Sequence, residues 1–193
     1  MPLPAASNMP PDEFLAWERE QPNERHHYVR GEIFAMSGGS ARHSFLGAQL
    51  IRLLGQGVLG GPCAAYTADL RLGLANDFFV YADAVVVCRP MAFRPGTKDV
   101  VTNPSVVVEV LSKSTEAYDR GDKLAGYLAL ASIQHILLVS QREQRVEAYS
   151  RQTDGSFRFE VLGPGTTVDL GAVKAKISVD AIYSGAFDLP GDE

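Results

Sequence analysis

The sequence predicts an α/β (α+β) domain in which a mixed central β-sheet is flanked by helices, and three observations predict it. Residues 105–111, Ser-Val-Val-Val-Glu-Val-Leu, form a nearly unbroken apolar run, the pattern of a strand buried on both faces. Residues 42–54 place Phe45, Leu46, Gln49, Leu50, Leu53 and Leu54 at i, i+3, i+4 spacing, so one helix face packs on a sheet. The order of elements is helix, three strands, helix, then more strands, which suits a sheet with a helix on each face.

Taken in chain order, a short helix fits Asp12 to Glu20, with Pro11 near its start and Pro22 after its end. Tyr28 to Met36 reads as a strand containing Glu32, with Gly31 allowing a bend or bulge. Residues 37–40 form a turn, and Ser40 is placed to cap the helix that follows. Glycines 55, 57, 60 and 61 break that helix. Strands follow at Ala64 to Leu74 and Phe78 to Val87, then a loop from Arg89 to Asn103. After the 105–111 strand, a helix over Glu116 to Ala131 presents Leu124, Tyr127, Leu128 and Ala131 on one face. Strands at His135 to Ser140, Arg145 to Ser150 and Phe157 to Leu162 come next. A short strand near Val168 and a helical turn over Val179 to Tyr183, with Ser178 as its cap, close the chain.

The 193 residues suit one domain over 11–187, with loose ends at 1–10 and 188–193. Hydrophobic residues make up 46% and charged residues 21%, which excludes a disordered chain. No apolar run approaches the ~20 residues of a membrane span. Met1-Pro2-Leu3-Pro4 lacks the basic start of a signal peptide, so a cytoplasmic protein is expected. In that setting Cys63 and Cys88 read as free core thiols. The net charge of −5 counts against nucleic-acid binding unless basic residues cluster or a metal offsets an acidic site.

Two acids interrupt apolar strands: Asp83 opens Asp-Ala-Val-Val-Val, and Glu109 sits inside the 105–111 run. A carboxylate in a central strand is costly unless paired or bound to a cation. One alone reads as a salt bridge or a strand end that reaches water. Two on consecutive strands point to a shared cation, and oxygen ligands favour Mg²⁺ or Mn²⁺, which polarise phosphates and activate water. A lysine would steady the attacking water or the phosphate charge. Leu111 occupies the position beside Glu109 on the strand, so the candidates are Lys113, just past it, and Lys123 on the next helix. Lys123 lies one turn from Asp119 and from Tyr127, a ridge equally suited to a solvated Lys123–Asp119 pair. His26-His27 has no partner at zinc-ligand spacing, Gly38-Gly39 lacks the rest of a P-loop, and Ser40–His43 has no acid to complete a triad.

The words Gly31-Glu32-Ile33, Arg42-His43, residues 81–87 and residues 107–115, followed by Asp119, Lys123 and Tyr127, resemble the Uma-two family. This is a family of restriction endonucleases within the PD-(D/E)XK nuclease superfamily, and the likeness covers two-thirds of the chain or more. It implies a restriction-endonuclease-like fold and Mg²⁺-dependent (or Mn²⁺-dependent) hydrolysis of DNA. It implies a metal held by Asp83 and Glu109, with Lys123, from the helix after the glutamate strand, preferred to Lys113. Glu32 and His43 are further candidates, and the resemblance implies a homodimer. The chain departs from the family at Ala82, where a proline is usual, and at Arg30, where an aspartate is common. Glu32 reads equally as a surface acid, His43 as a locally bonded histidine, and Asp69 as a partner of Arg71. Arg89, Arg94 and Lys98 read either as backbone contacts or as ordinary loop charges. The competing functions are a nuclease-like binding module without turnover and a set of purely structural ion pairs.

Overall fold

The computed structural model describes residues 8–36 and 38–192; residues 1–7 of the expected loose start, Ser37 of the expected turn and Glu193 lie outside them. The chain runs α1 (Pro11–Arg19), β1 (His26–Val29), β2 (Glu32–Ala35), α2 (Ala41–Gly57), β3 (Cys63–Thr67), β4 (Arg71–Ala75), β5 (Phe78–Tyr81) and β6 (Ala84–Cys88). It continues through β7 (Val100–Val101), β8 (Pro104–Leu111), α3 (Glu116–Tyr118), α4 (Leu124–Ala129), β9 (His135–Ser140), β10 (Val146–Arg151), β11 (Phe157–Leu162), β12 (Thr167–Leu170), β13 (Ala175–Ser178) and α5 (Val179–Tyr183). Six strands form a sheet in the order β11-β10-β9-β8-β6-β3, and five form another in the order β2-β1-β5-β4-β7. The larger sheet is mixed: β8 runs antiparallel to β6 and parallel to β9.

Three segments expected as single strands are each divided. Tyr28–Met36 is a hairpin, with Val29 facing Glu32. Arg30 and Gly31 both take positive φ (49° and 94°), as a tight two-residue turn requires, so Gly31 makes a turn and not a bulge. Residues 64–74 and 78–87 each cross from one sheet to the other, at 68–70 and at 82–83. Both sheets are apolar on the faces that meet, so hydrophobic pattern alone carried no mark of the crossing.

Alternation along β6, β8 and β9 builds two cores. One face, with Ala84, Val86, Val106, Val108, Val110 and Leu137, packs on Leu46, Leu50 and Leu54 of α2 and on Ile182 and Tyr183 of α5. Those three leucines are fully buried, worth roughly 1.5–3 kcal/mol each. The other face, with Val85, Val107, Ile136 and Leu138, packs on Tyr127 and on Leu72 and Val80 of the smaller sheet. Glu109 lies between Val107 and Leu111 and therefore shares this second face.

Other expectations change at particular residues. Helix α2 runs on through Gly55 to Gly57, where a Cβ would stand 2.7 Å from the Ala175 side chain. That glycine lets β13 approach the helix instead of ending it. Cys63 and Cys88 are disulfide-bonded, not free, because the β3–β6 register sets them directly opposite. Ser40 caps α2 as expected, accepting the His43 amide, whereas Ser178 stands at the cap of α5 without a side-chain cap bond. The end of the chain is tethered: Arg42 donates to the carbonyls of Ala186, Leu189 and Gln141, and Gln141 donates to Asp192. Leu189 and Pro190 are thus tied to α2, and Asp192 to Gln141. Arg42→Ala should destabilise the fold by about 2 kcal/mol, since bonds from a charged donor are worth roughly 1.5–3 kcal/mol; urea denaturation measures it.

Candidate active site

The crossing between β5 and β6 places Asp83 just before the first residue of β6, an interior strand of the larger sheet. The β6–β8 register, Ala84 opposite Val108, sets Asp83 level with Glu109. Asp83 Oδ2 accepts the Val110 amide at 2.7 Å, which fixes that carboxylate against β8. His43, one turn into α2, brings Nε2 within 3.5 Å of the same oxygen. Gly39 makes room for it, because a Cβ there would meet the His43 ring at 2.7 Å. Asp83 keeps 21% of its side chain accessible, so it is reachable from the cleft.

The expected helix over 116–131 is not continuous. Between α3 and α4, Asp119–Lys123 form one wide π-helical turn, kinked at Gly121 (φ −97°, ψ −105°). Such turns recur at functional sites. This one sends both Asp119 and Lys123 inward, where each is buried. Lys123 Nζ lies 2.9 Å from Glu109 Oε1 and 3.2 Å from Asp119 Oδ1. Tyr127, one turn further on, donates its hydroxyl to the same Oε1. The sequence left a choice between a Lys123–Asp119 pair and a Lys123–Glu109 contact; the fold makes both, and neither is solvated.

Burial pushes the Glu109 carboxyl up to about 8, against the opposing pull of Lys123. Burial also raises Asp83, against His43, Lys123 and the Val110 amide. For Lys123, burial would lower the ammonium, but Glu109 and Asp119 outweigh it and hold it above the usual lysine range. The site is therefore a partly frustrated charge cluster: three acids share one buried cation.

These side chains line a narrow cleft of about 80 Å³, together with His27, Gly39, Tyr81, Ser112, Thr115 and Tyr118. That is space for a few waters or a small hydrated ion. Of the residues singled out from sequence, Asp83, Glu109, Lys123 and His43 meet there. Glu32 does not: it is exposed and pairs with Val29 at the far end of β2 from Ala35 and Met36, which do line the cleft. Lys113 is exposed and outside the cleft lining. Asp69 pairs with Arg25, while Arg71 turns to Asp99 and the Tyr81 hydroxyl. Arg94 binds Asp12, and none of Arg89, Arg94 and Lys98 lines the cleft.

Asp119 was legible only as a helix neighbour of Lys123. The sequence marked His27 only as a partnerless zinc-ligand candidate beside His26, and it did not mark Tyr118. Alternation along β1 was the available signal for His27: His26 turns away to Glu18, at 2.9 Å, so its neighbour must face the other side.

Among the described residues no three or more His, Cys, Asp or Glu side chains converge as a metal-binding group. The donor chemistry still suits a hard cation. The contacts of Asp83 with His43 and Val110 fall on Oδ2, and those of Glu109 with Lys123 and Tyr127 on Oε1, so each acid has a second oxygen outside these contacts. Magnesium is commonly held by one or two carboxylates, with water and phosphate oxygens supplying the rest.

The architecture is that of a nuclease-like α+β protein. A solved structure described as a putative nuclease belonging to DUF820, from Anabaena variabilis ATCC 29413, matches it with a TM-score of 0.75, covering 92% of this chain and 99% of that one. At 19% identity the likeness is one of fold. The Uma2 family model, described as "Putative restriction endonuclease", matches residues 11–180, and the chain belongs to that family. Two uncharacterized proteins of Synechocystis sp. (strain ATCC 27184 / PCC 6803 / Kazusa) are similar along most of their length. The protein slr1290 is 36% identical over 185 residues (95% of this chain, 94% of the relative). The protein sll1609 is 31% identical over 164 residues (84% and 92%). Among the described residues no helix is long and apolar enough to cross a membrane.

The charge cluster makes opposite stability changes testable. Lys123→Ala strips Glu109 and Asp119 of their shared cation and should cost about 3–5 kcal/mol. Asp83→Asn keeps an acceptor for the Val110 amide but removes a buried charge, and should leave the melting temperature equal or higher. Thermal unfolding of the two variants checks both signs.

Proposed function

We propose that the protein is a metal-dependent endonuclease that hydrolyses DNA phosphodiester bonds at Asp83, Glu109 and Lys123. The observation that carries this is a lysine buried 2.9 Å from Glu109 in a cleft that Asp83 also lines. A stable core has no need of such a group, since well-packed apolar residues would serve at least as well. Functional sites accept that cost for pre-organised charge.

In this reading Asp83 and Glu109 would hold Mg²⁺ or Mn²⁺, which, when bound, would polarise the phosphate and lower the pKa of a coordinated water. Lys123, anchored by Asp119, holds the attacking water or a phosphate oxygen by charge-assisted hydrogen bonds. Tyr127 fixes the rotamer of Glu109. His43, beside Asp83, is placed to orient that carboxylate or to pass a proton at Nε2. Cutting both strands of a duplex calls for two such sites, so a homodimer belongs to the proposal. So does a cytoplasmic location, where DNA and Mg²⁺ are at hand and where the Cys63–Cys88 bond would face reduction.

One observation favours a second reading, a binding module without turnover. Lys123 is already neutralised by two acids, and the chain carries net charge −5. Supercoiled plasmid separates the two. With Mg²⁺ or Mn²⁺ the enzyme should convert it, to linear product if copies pair and to nicked circles if they act alone. Asp83→Ala should abolish the conversion. Equal cutting by the variant would remove the assignment.

Metal affinity should also depend on pH. A cation needs the ionised Glu109, whose carboxyl is raised to about 8, so each ion bound below that pH displaces a proton. Mn²⁺ affinity should therefore climb with pH and level off above about 8. Calorimetry in two buffers of different ionisation enthalpy reads the released proton directly.

A further inference from the structure

Two polar groups in the cleft take no part in the acid–lysine cluster. Tyr118 lines the cleft and is 7% exposed, and its buried hydroxyl has no hydrogen-bond partner among the described residues. A buried hydroxyl left in that state is costly, and in a site it marks a place for a ligand or water atom. His27 lines the same cleft, and its Nδ1 accepts the Tyr81 amide at 3.4 Å. An accepting Nδ1 leaves the proton on Nε2, so the ring is a neutral donor. Burial, with Lys123 nearby, keeps the imidazole well below its usual range and hence uncharged. The rings of His27 and Tyr118 stand 5.7 Å apart, and the Lys123 ammonium lies 5.6 Å from the Tyr118 ring. One cation and two neutral donors are therefore neighbours in the lining of the cleft that holds the acids.

We propose that the His27 Nε2–H and the Tyr118 hydroxyl form a neutral donor pair that grips a non-bridging oxygen of a phosphodiester bound beside Lys123. The substrate class rests on the nuclease reading. The chemistry explains why the donors are neutral. A phosphate entering this cleft meets Asp83, Glu109 and Asp119, and an added lysine or arginine would be captured by those acids, as Lys123 is. A histidine tied at Nδ1 and a tyrosine hydroxyl donate to phosphate without forming such ion pairs.

The test titrates the whole chain with the phosphodiester dTpdT, with and without Mg²⁺, and follows binding by NMR. Tyr118→Phe removes one oxygen that has no partner among the described residues. It should weaken dTpdT binding by about tenfold, a loss of one hydrogen bond, while the melting temperature holds or rises. His27→Phe should weaken binding similarly, and His27→Gln, whose amide nitrogen reaches toward the Nε2 position, should recover part of it. If Tyr118→Phe binds dTpdT as the wild type does, or the wild type does not bind it, the donor pair is overturned. Binding that depends on Tyr118 without plasmid cleavage would keep the pair and remove the nuclease. Plasmid cleavage with unchanged kcat and KM in Tyr118→Phe would do the reverse.

Discussion

The structure of the site depends on one interaction, the buried ammonium of Lys123 held between Glu109 and Asp119 at 2.9 and 3.2 Å. Removing Lys123 leaves two buried acids without their shared cation. Glu109 can occupy a wholly apolar strand because Lys123 and Tyr127 reach it there. Asp119 and Lys123, four residues apart on the wide turn kinked at Gly121, both face inward. The arrangement is stable but not relaxed. Burial still lifts the Glu109 carboxyl to about 8, and Asp83 adds a third acid that the single lysine cannot fully offset.

The fold exists around this cluster as two sheets that exchange strands. Leaving the smaller sheet after β5 and entering the larger one at β6 puts Asp83 at a corner, where a carboxylate can be both anchored and reachable. On the other side of the larger sheet, α2 packs three leucines into the core and presents His43 from its first turn. A second buried polar network lies behind the cleft. Glu18 accepts from His26 and from the Tyr81 hydroxyl, and Arg71 links Tyr81 to Asp99. Tyr81 thus joins the cleft lining to α1, and the smaller sheet serves as the wall that positions His27 and Tyr81.

Charge is the term that separates the proposed nuclease from ordinary DNA binders. With net charge −5, and with Arg94, Arg19 and Arg120 engaged by Asp12, Asp99 and Glu147, long-range attraction to a phosphate backbone is weak. Recognition in such a protein has to be short-range. It comes from what the cleft itself offers, and from any cation that turns the acids from a barrier into a bridge.

Sequence by itself marked the two central acids, because a carboxylate in an apolar strand is conspicuous whatever the fold around it. It also determined the buried face of α2, the cap at Ser40 and the mixed sheet, since these rest on local periodicity and turn chemistry. Its residues alone did not decide between Lys113 and Lys123 or whether Glu32 joins the acids, and it read Cys63 and Cys88 as free thiols. Those questions turn on which distant residues meet. Glu32 is two residues from the cleft wall in sequence but lies at the wrong end of its strand. Lys123 is fourteen residues from Glu109 yet touches it, and Cys63 meets Cys88 because two strands pair in one register. Alternation along β1 marks the side His27 faces but not what it meets, Tyr118 carries no such mark, and only the packing of the smaller sheet against the 116–123 turn gathers them at the acids.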